Sequence, residues 1–241
     1  MIVLLTDFSI GEYVGVMKGV IYQQSPHAQI TDLCHDITPQ CLVEAAWILR
    51  QNYSYFPLHT VFCCVVDPGV GSSRRALAVQ TKRYGFVAPD NGLLWETLKL
   101  ETVVASREIR IPSDASRTFH GRDVFARAAA RMDHGEFAIL GPEVSEPERL
   151  DLHIVGREGT VVRIDRFGNC ITNLSPLDQK QYSVTIGPGK ERMDFYPTYE
   201  AAPAQTLFLI EGSCGTLEIS IKNGNANDKL HLSPGDKIVI A

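Results

Sequence analysis

No C-x-x-C pair occurs among the six cysteines, Cys34, Cys41, Cys63, Cys64, Cys170 and Cys214, so the usual zinc-ligand spacing is absent and no metal site is expected. No apolar run approaches the roughly 20 residues that cross a bilayer. The opening MIVLLTDF has no basic flank and no small-residue cleavage site, and Asp7 interrupts it early. It reads as a first strand rather than a signal peptide. Positive charge is in deficit, with 23 Lys and Arg against 28 Asp and Glu and a net charge of −5. That balance argues against a nucleic-acid backbone as partner, because neutralising phosphates requires a basic surface. Internal repeats and low-complexity tracts are missing too. These absences predict a cytoplasmic protein with buried free thiols, no membrane contact and no nucleic-acid partner.

What is present is ordinary globular composition: 241 residues, 44% apolar and 21% charged, enough for one large domain or two small ones. Short apolar runs at 2–6, 29–33, 60–66, 75–80, 84–88 and 102–105 read as strands. Several are apolar at nearly every position, as strands buried on both faces should be. Helical patterns lie between them at 14–24, 42–53, 91–100 and 121–132. This alternation predicts an α/β domain over 1–146, a mostly parallel sheet flanked by helices. Cys63 and Cys64, adjacent in one strand, should point to opposite faces of it. EVSEPERLD at 143–151 is acidic and broken by proline, which suits a linker or domain boundary. Beyond it, 152–241 carries short β-branched runs (TVVRID, YSVTI, TLFLIE, TLEISI, KIVIA) separated by Gly, Pro, Asn and Asp. These predict a small antiparallel β-barrel domain.

Ligands of open parallel sheets bind beyond the carboxyl ends of the strands, and four polar clusters fall at such ends. Asp7 closes the first strand in L-L-T-D-F-S. Asp67 closes another in V-V-D-P-G-V-G-S-S-R-R, which lacks the G-K-[ST] ending of a phosphate-binding loop. Asp90 and Asn91 follow F-V-A-P, and His120 sits in T-F-H-G-R-D ahead of a helical pattern. Each has a structural alternative. Asp7 could cap a helix, D-P-G-V-G and D-N-G could be tight turns, and R-F-G-N at 166–169 could be a hairpin turn.

Taken in order, T-D-F, V-D-P-G-V-G-x-x-R, P-D-N-G-L-L, T-F-H-G-R-D, I-D-x-F-G-N-x-x-T-N and G-S-x-G-x-L-E-I span nearly the whole chain. The set resembles the S-adenosylmethionine hydroxide adenosyltransferases, the adenosine-forming S-adenosylmethionine hydrolases, which are similar in fold to bacterial fluorinases and chlorinases. The resemblance implies hydrolysis of S-adenosyl-L-methionine to adenosine and L-methionine, with that molecule as substrate and no cofactor. It implies a catalytic trio of Asp67, Arg74 and His120, with Arg74 preferred to Arg75 by its seven-residue distance from Asp67. It implies that Asp7 binds the ribose hydroxyls, that Asp165 and Asn169 hold the methionine amino and carboxylate groups, and that Phe167 and Ser213 line the same pocket. It implies a homotrimer whose sites lie at subunit interfaces. The sequence departs from the family at Ser9, where glycine is usual, at Gln40 and Cys41, and at Cys214 and Thr216.

The chemistry is coherent without the family name. A sulfonium is an excellent leaving group, so attack at ribose C5′ needs neither a metal nor protonation of the departing sulfur. An oxygen nucleophile must be held in line with the C5′–S bond in a dry pocket. Asp67 can orient the water or take its proton, and Arg74 can stabilise developing hydroxide. His120, at a helix start, should be neutral and able to accept a hydrogen bond or a proton. Which of Asp67 and His120 is the base stays open at this level. The rival readings are a halogenase making 5′-halo-5′-deoxyadenosine, a nucleoside hydrolase and a nucleotide-binding module without catalysis. A nucleoside hydrolase needs a clustered D-x-D-x-x-x-D-D calcium site, which T-D-F-S-I-G-E-Y lacks.

Overall fold

A computed structural model describes all 241 residues, which form two compact units, Met1–Asp151 and Leu152–Ala241. The first holds six strands, β1 (Ile2–Thr6), β2 (Ile30–Cys34), β3 (Val61–Val65), β4 (Ala76–Thr81), β5 (Gly85–Pro89) and β6 (Val103–Glu108). They form one sheet in the order β2-β1-β3-β5-β4-β6. The pairs β1–β2, β1–β3 and β3–β5 are parallel, whereas β4 runs antiparallel to both neighbours. Every residue of β1, β3 and β5 is buried, which explains their unbroken apolar runs: both sheet faces are covered.

Side-chain alternation sorts the two faces. Ile2, Leu4, Cys63 and Val65 pack with Met17 and Ile21 of α1 (Glu12–Gln24) and Ala129 of α4 (Ala126–Asp133). Val3, Leu5, Phe62 and Cys64 pack on the other side with Ala45 and Leu49 of α2 (Leu42–Asn52). The adjacent cysteines therefore do face opposite ways. All six cysteines are free, with Cys63, Cys64 and Cys170 buried and the other three partly buried. Burial pushes the Cys63 thiol up to about 12, which makes it inert.

Two helices expected from the sequence need correction. The helix expected over 91–100 shrinks to α3 (Trp95–Leu98), because Asn91 and Gly92 form a turn: Asn91 Oδ1 accepts from Leu93 N and Gly92 O from Trp95 N. The helix expected over 121–132 opens with a π-turn at Gly121–Phe125 before α4 begins. The 143–151 segment, which carries no helix or strand, closes the first unit, held to it where Glu148 N donates to Asp90 Oδ1 (2.7 Å) and Trp95 Nε1 to Asp151 Oδ1 (2.9 Å).

The second unit contains β7 (Glu158–Ile164), β8 (Cys170–Thr172), β9 (Gln181–Ile186), β10 (Gly189–Asp194), β11 (Leu207–Glu211), β12 (Leu217–Ile221), β13 (Lys237–Ile240) and the short α5 (Asn227–Leu230). Its strands pair antiparallel in the order β10-β9-β13-β7-β8-β12-β11. The two ends of that sheet approach each other where Phe195 bridges Leu209 and Tyr196 N donates to Leu209 O (2.9 Å). The result is a nearly closed barrel around Val161, Val184, Leu209, Ile219 and Ile238. Near-closure removes most exposed sheet edge. No helix of either unit is long and apolar enough to cross a membrane.

Candidate active site

Topology selects the place. From β1 the chain crosses to β2 on one side, then returns to β3 on the other, so connections diverge between β1 and β3. A crevice opens at such a switch point, beyond the strands' carboxyl ends. Thr6 is in register with Val65, so Asp7 and Asp67 emerge side by side from the two strands. A cleft of about 570 Å³ lies there, lined by Asp7, Asp67 and His120 and by the rings of Phe8, Tyr13 and Phe119. Phe119 meets Phe8 and Tyr13 edge-on and those two rings are tilted to each other, with centroids 5.1–5.9 Å apart. Sequence reasoning did not single them out as site residues, although Phe8 and Phe119 sit inside the motifs T-D-F and T-F-H.

Asp67, Arg74 and His120 meet in space. Arg74 Nε donates to both Asp67 oxygens, at 2.9 and 3.1 Å, and Nη2 donates to Oδ2 as well. The same Nη2 lies 2.8 Å from His120 Nδ1. Both members of the ion pair are well buried, at 10% exposure for Arg74 and 6% for Asp67. Below the guanidinium sits the Phe125 ring, 5.2 Å from Cζ. That ring belongs to the π-turn following His120, whose extra residue is a feature often found beside functional sites.

The polarity of this trio follows from donor inventory. Arginine has no acceptor, so His120 Nδ1 must accept from Arg74, which places the ring proton on Nε2. Burial holds the imidazole below its ordinary value of 6.5, and the Arg74 charge pushes the same way. Both effects favour the neutral ring, and burial rather than the helix end is the first cause. Arg75 goes elsewhere, pairing with Asp90 at 2.5 Å. Asn91 Nδ2 donates to Val66 O (2.9 Å), so D-N-G here is a turn that braces the end of β3.

Asp7 accepts from Gln40 N through Oδ2 (2.8 Å), and its carboxylate lines the cleft. Its loop is pinned to the residues after β2: Ser9 N donates to His35 O (2.7 Å), and Thr6 Oγ1 lies 2.8 Å from His35 Nδ1. Ser9 and Gln40, two of the unusual positions, both adopt left-handed backbone, with φ of 52° and 64°. The turn is thus made by forcing serine into glycine's conformation, which costs about 1 kcal/mol. Ser9→Gly is expected to stabilise the protein by no more than about 0.5 kcal/mol, because the extra entropy of an unfolded glycine offsets much of the relieved strain. A denaturant midpoint that falls instead would show that the seryl hydroxyl has a role of its own.

In the second unit, Asp165 and Asn169 form a compact hook between β7 and β8. Asp165 Oδ1 accepts from Phe167 N and Asn169 N, both at 2.9 Å, and Oδ2 accepts from Asn169 Nδ2 at 2.9 Å. Oδ2 keeps one lone pair for an outside donor. Gly168 makes the hook possible: its φ is 81°, and any Cβ there would lie 1.9 Å from Asn225 Oδ1. Phe167 is left 71% exposed at the tip, and Ser213 is exposed on the turn between β11 and β12. Two groups that sequence reasoning missed stand behind the hook. Tyr199 Oη lies 3.5 Å from Asn169 Nδ2 and donates to Glu218 Oε2 at 3.0 Å. Nowhere do three His, Cys, Asp or Glu side chains converge as metal ligands would.

Two family models cover this architecture, the SAM hydroxide adenosyltransferase N-terminal domain over residues 2–140 and its C-terminal domain over residues 159–239. The chain belongs to the SAM hydroxide adenosyltransferase family. It is similar to a Thermus thermophilus protein named (R)-S-adenosyl-L-methionine hydrolase, with 37% identity covering 96% of this chain and 95% of that one. A Nocardia brasiliensis fluorinase is more distant, at 27% identity over 76% of this chain and 72% of its own. Among solved structures, an uncharacterized conserved protein from Thermotoga maritima matches with a TM-score of 0.91 and 34% identity, covering both chains completely. Adenosyltransferase membership also fits the two-part construction, an α/β unit followed by a β-barrel.

Proposed function

We propose that this protein hydrolyses S-adenosyl-L-methionine to adenosine and L-methionine by in-line attack of water at ribose C5′. The observation that carries the reading is the hydrogen-bond polarity of the trio, of which Asp67 and His120 line the cleft and Arg74 joins them from behind. With Nδ1 committed to Arg74, His120 offers a donor, Nε2–H, and Asp67 is the acceptor that remains. Asp67 takes the proton of the attacking water, His120 orients the water oxygen, and Arg74 supplies positive charge as hydroxide develops. The new bond joins water oxygen to C5′, and the C5′–S electrons leave on sulfur as neutral methionine thioether. Sulfur needs no proton and no Lewis acid, so the reaction needs no metal or cofactor.

A halide nucleophile suits this cleft poorly, because the buried Asp67 carboxylate would oppose a second anion in the same space. Relatives that carry the hydrolase name are named for the (R)-sulfonium, and we extend that preference to this chain. We also place it in the cytoplasm, and we propose that it acts as a homotrimer. The first unit's groups suit the ribose and C5′, whereas the Asp165–Asn169 hook and Ser213 suit an α-amino acid. A ring of three copies would let the first unit of one subunit and the second unit of its neighbour serve one substrate.

The deciding experiment is incubation with each sulfonium epimer in 18O-labelled water. Adenosine labelled at the 5′ oxygen is expected from the (R) epimer in excess over the other. Unlabelled adenosine would exclude direct attack by water, and no adenosine from either epimer would overturn the assignment.

A further inference from the structure

Glu218 is a carboxylate in β12, a strand buried at every position, and is itself only 6% exposed. Burying such a group without partners is costly, so its surroundings indicate what it is for. On one side, Oε2 accepts the Tyr199 hydroxyl proton at 3.0 Å. On the other, the carboxylate occupies the space that a side chain at position 212 would need: a Cβ on Gly212 would lie 1.7 Å from Oε1. Gly212 opens the turn that presents Ser213, closed by Gly212 N donating to Thr216 O (2.9 Å) and Gly215 N to Gly212 O (2.9 Å). One side chain therefore backs both the Asn169 hook and the Ser213 turn.

We propose that Glu218 and Tyr199 are positioning residues that fix the polarity of the Asn169 amide and the placement of the Ser213 turn for the amino-acid end of the substrate. A carboxylate only accepts, so the Tyr199 proton must point at Glu218. The phenol oxygen then presents lone pairs to Asn169, whose Nδ2 lies 3.5 Å away and also donates to Asp165 Oδ2 at 2.9 Å. Both partners demand the NH2 end of the amide. Oδ1 is left as the outward acceptor, suited to an α-ammonium. The two ends of an asparagine amide are nearly equal in size, so sterics alone would not choose between them, and the directional chain does. Burial pushes the Tyr199 phenol up to about 12, so the phenol keeps its proton; burial also raises Glu218 above its ordinary value, and the Tyr199 hydrogen bond opposes that rise by favouring the carboxylate.

This inference rests on the proposed hydrolysis for its kinetic readout. Y199F and E218A are each expected to raise KM for S-adenosylmethionine about tenfold with kcat within twofold of the parent. E218Q, which can turn its carbonyl to Tyr199, should recover most of the affinity. The Y199F/E218A double variant should be no worse than the poorer single, because both lesions cut one chain. Lower thermal midpoints with unchanged KM would reduce the pair to structural support and overturn the proposal. Should wild-type protein release no adenosine, the hydrolase reading fails separately. The relay is then decided by the Asn169 side-chain amide resonances in 15N-labelled Y199F. Shifted, faster-exchanging amide protons sustain it, and resonances identical to wild type overturn it.

Discussion

Arg74→Ala is expected to lower kcat by roughly 10²-fold or more, with KM within a few-fold of wild type. The argument is geometric. Arg74 bonds to both oxygens of Asp67 and to His120 Nδ1, so its removal frees the base to rotate and lets the imidazole choose the wrong tautomer. Lysine should not rescue it, because a single ammonium cannot reproduce the planar fork that reaches both partners. Asp67→Asn and His120→Ala should cost comparable factors. The double variant Asp67→Asn/Arg74→Ala should be little worse than either single, as expected for groups acting as a unit. The pH profile supplies an independent check. A proton added at Nδ1 would face the Arg74 donors, so only neutral His120 fits the trio. Its value is depressed from 6.5 by burial and by Arg74. Wild-type kcat/KM should therefore be unaffected by His120 at neutral pH and fall only as pH drops through a midpoint below 6.5. Near-normal turnover in all three single variants would show that the reaction is run by other groups. A collapse confined to His120 variants would move the base from Asp67 to the imidazole.

Much of this site was legible because α/β folds place chemistry at strand ends. Asp7 and Asp67 each follow a strand whose apolar run is unbroken, and the reason is visible in the structure: β1 and β3 are buried on both faces. Arg74 could be separated from Arg75 only by the family's spacing, and the structure sends their side chains to different carboxylates, Asp67 and Asp90. Other features left no local trace. Strand β10, GKERMD, has a single buried residue, so it shows neither an apolar run nor a useful alternation. Strand β8 has three residues, too few for a period. The π-turn after His120 adds one residue to a helical turn, which periodicity cannot register. Glu218 was hidden for a different reason. In T-L-E-I-S-I the alternation assigns Thr216, Glu218 and Ser220 to a solvent face, yet β12 is buried on both sides. Its polar face lies opposite the barrel core and is covered there, where Glu218 meets Tyr199, and Tyr199 itself lies in an irregular segment where an isolated tyrosine carries no signal.

Mixing two inactive variants should restore activity if the proposed trimer shares its sites between subunits. His120→Ala damages only the first unit, and Asn169→Ala only the second. Each homotrimer is then inactive at every site, because every site receives the lesion its chain carries. After co-refolding at equal proportions, a site regains both intact halves when its first unit comes from the Asn169→Ala chain and its second from the His120→Ala chain. Independent choice of the two donors gives about one quarter of wild-type activity. A site assembled wholly within one chain predicts no recovery, since each chain retains one lesion whatever its neighbours are. The difference between about a quarter and essentially zero is far larger than assay error. Native mass spectrometry, with one variant isotopically labelled, would establish that mixed assemblies had formed. Mixed trimers without activity would overturn site sharing while leaving the trio and the hydrolysis untouched. A monomer at working concentration would overturn the trimer itself.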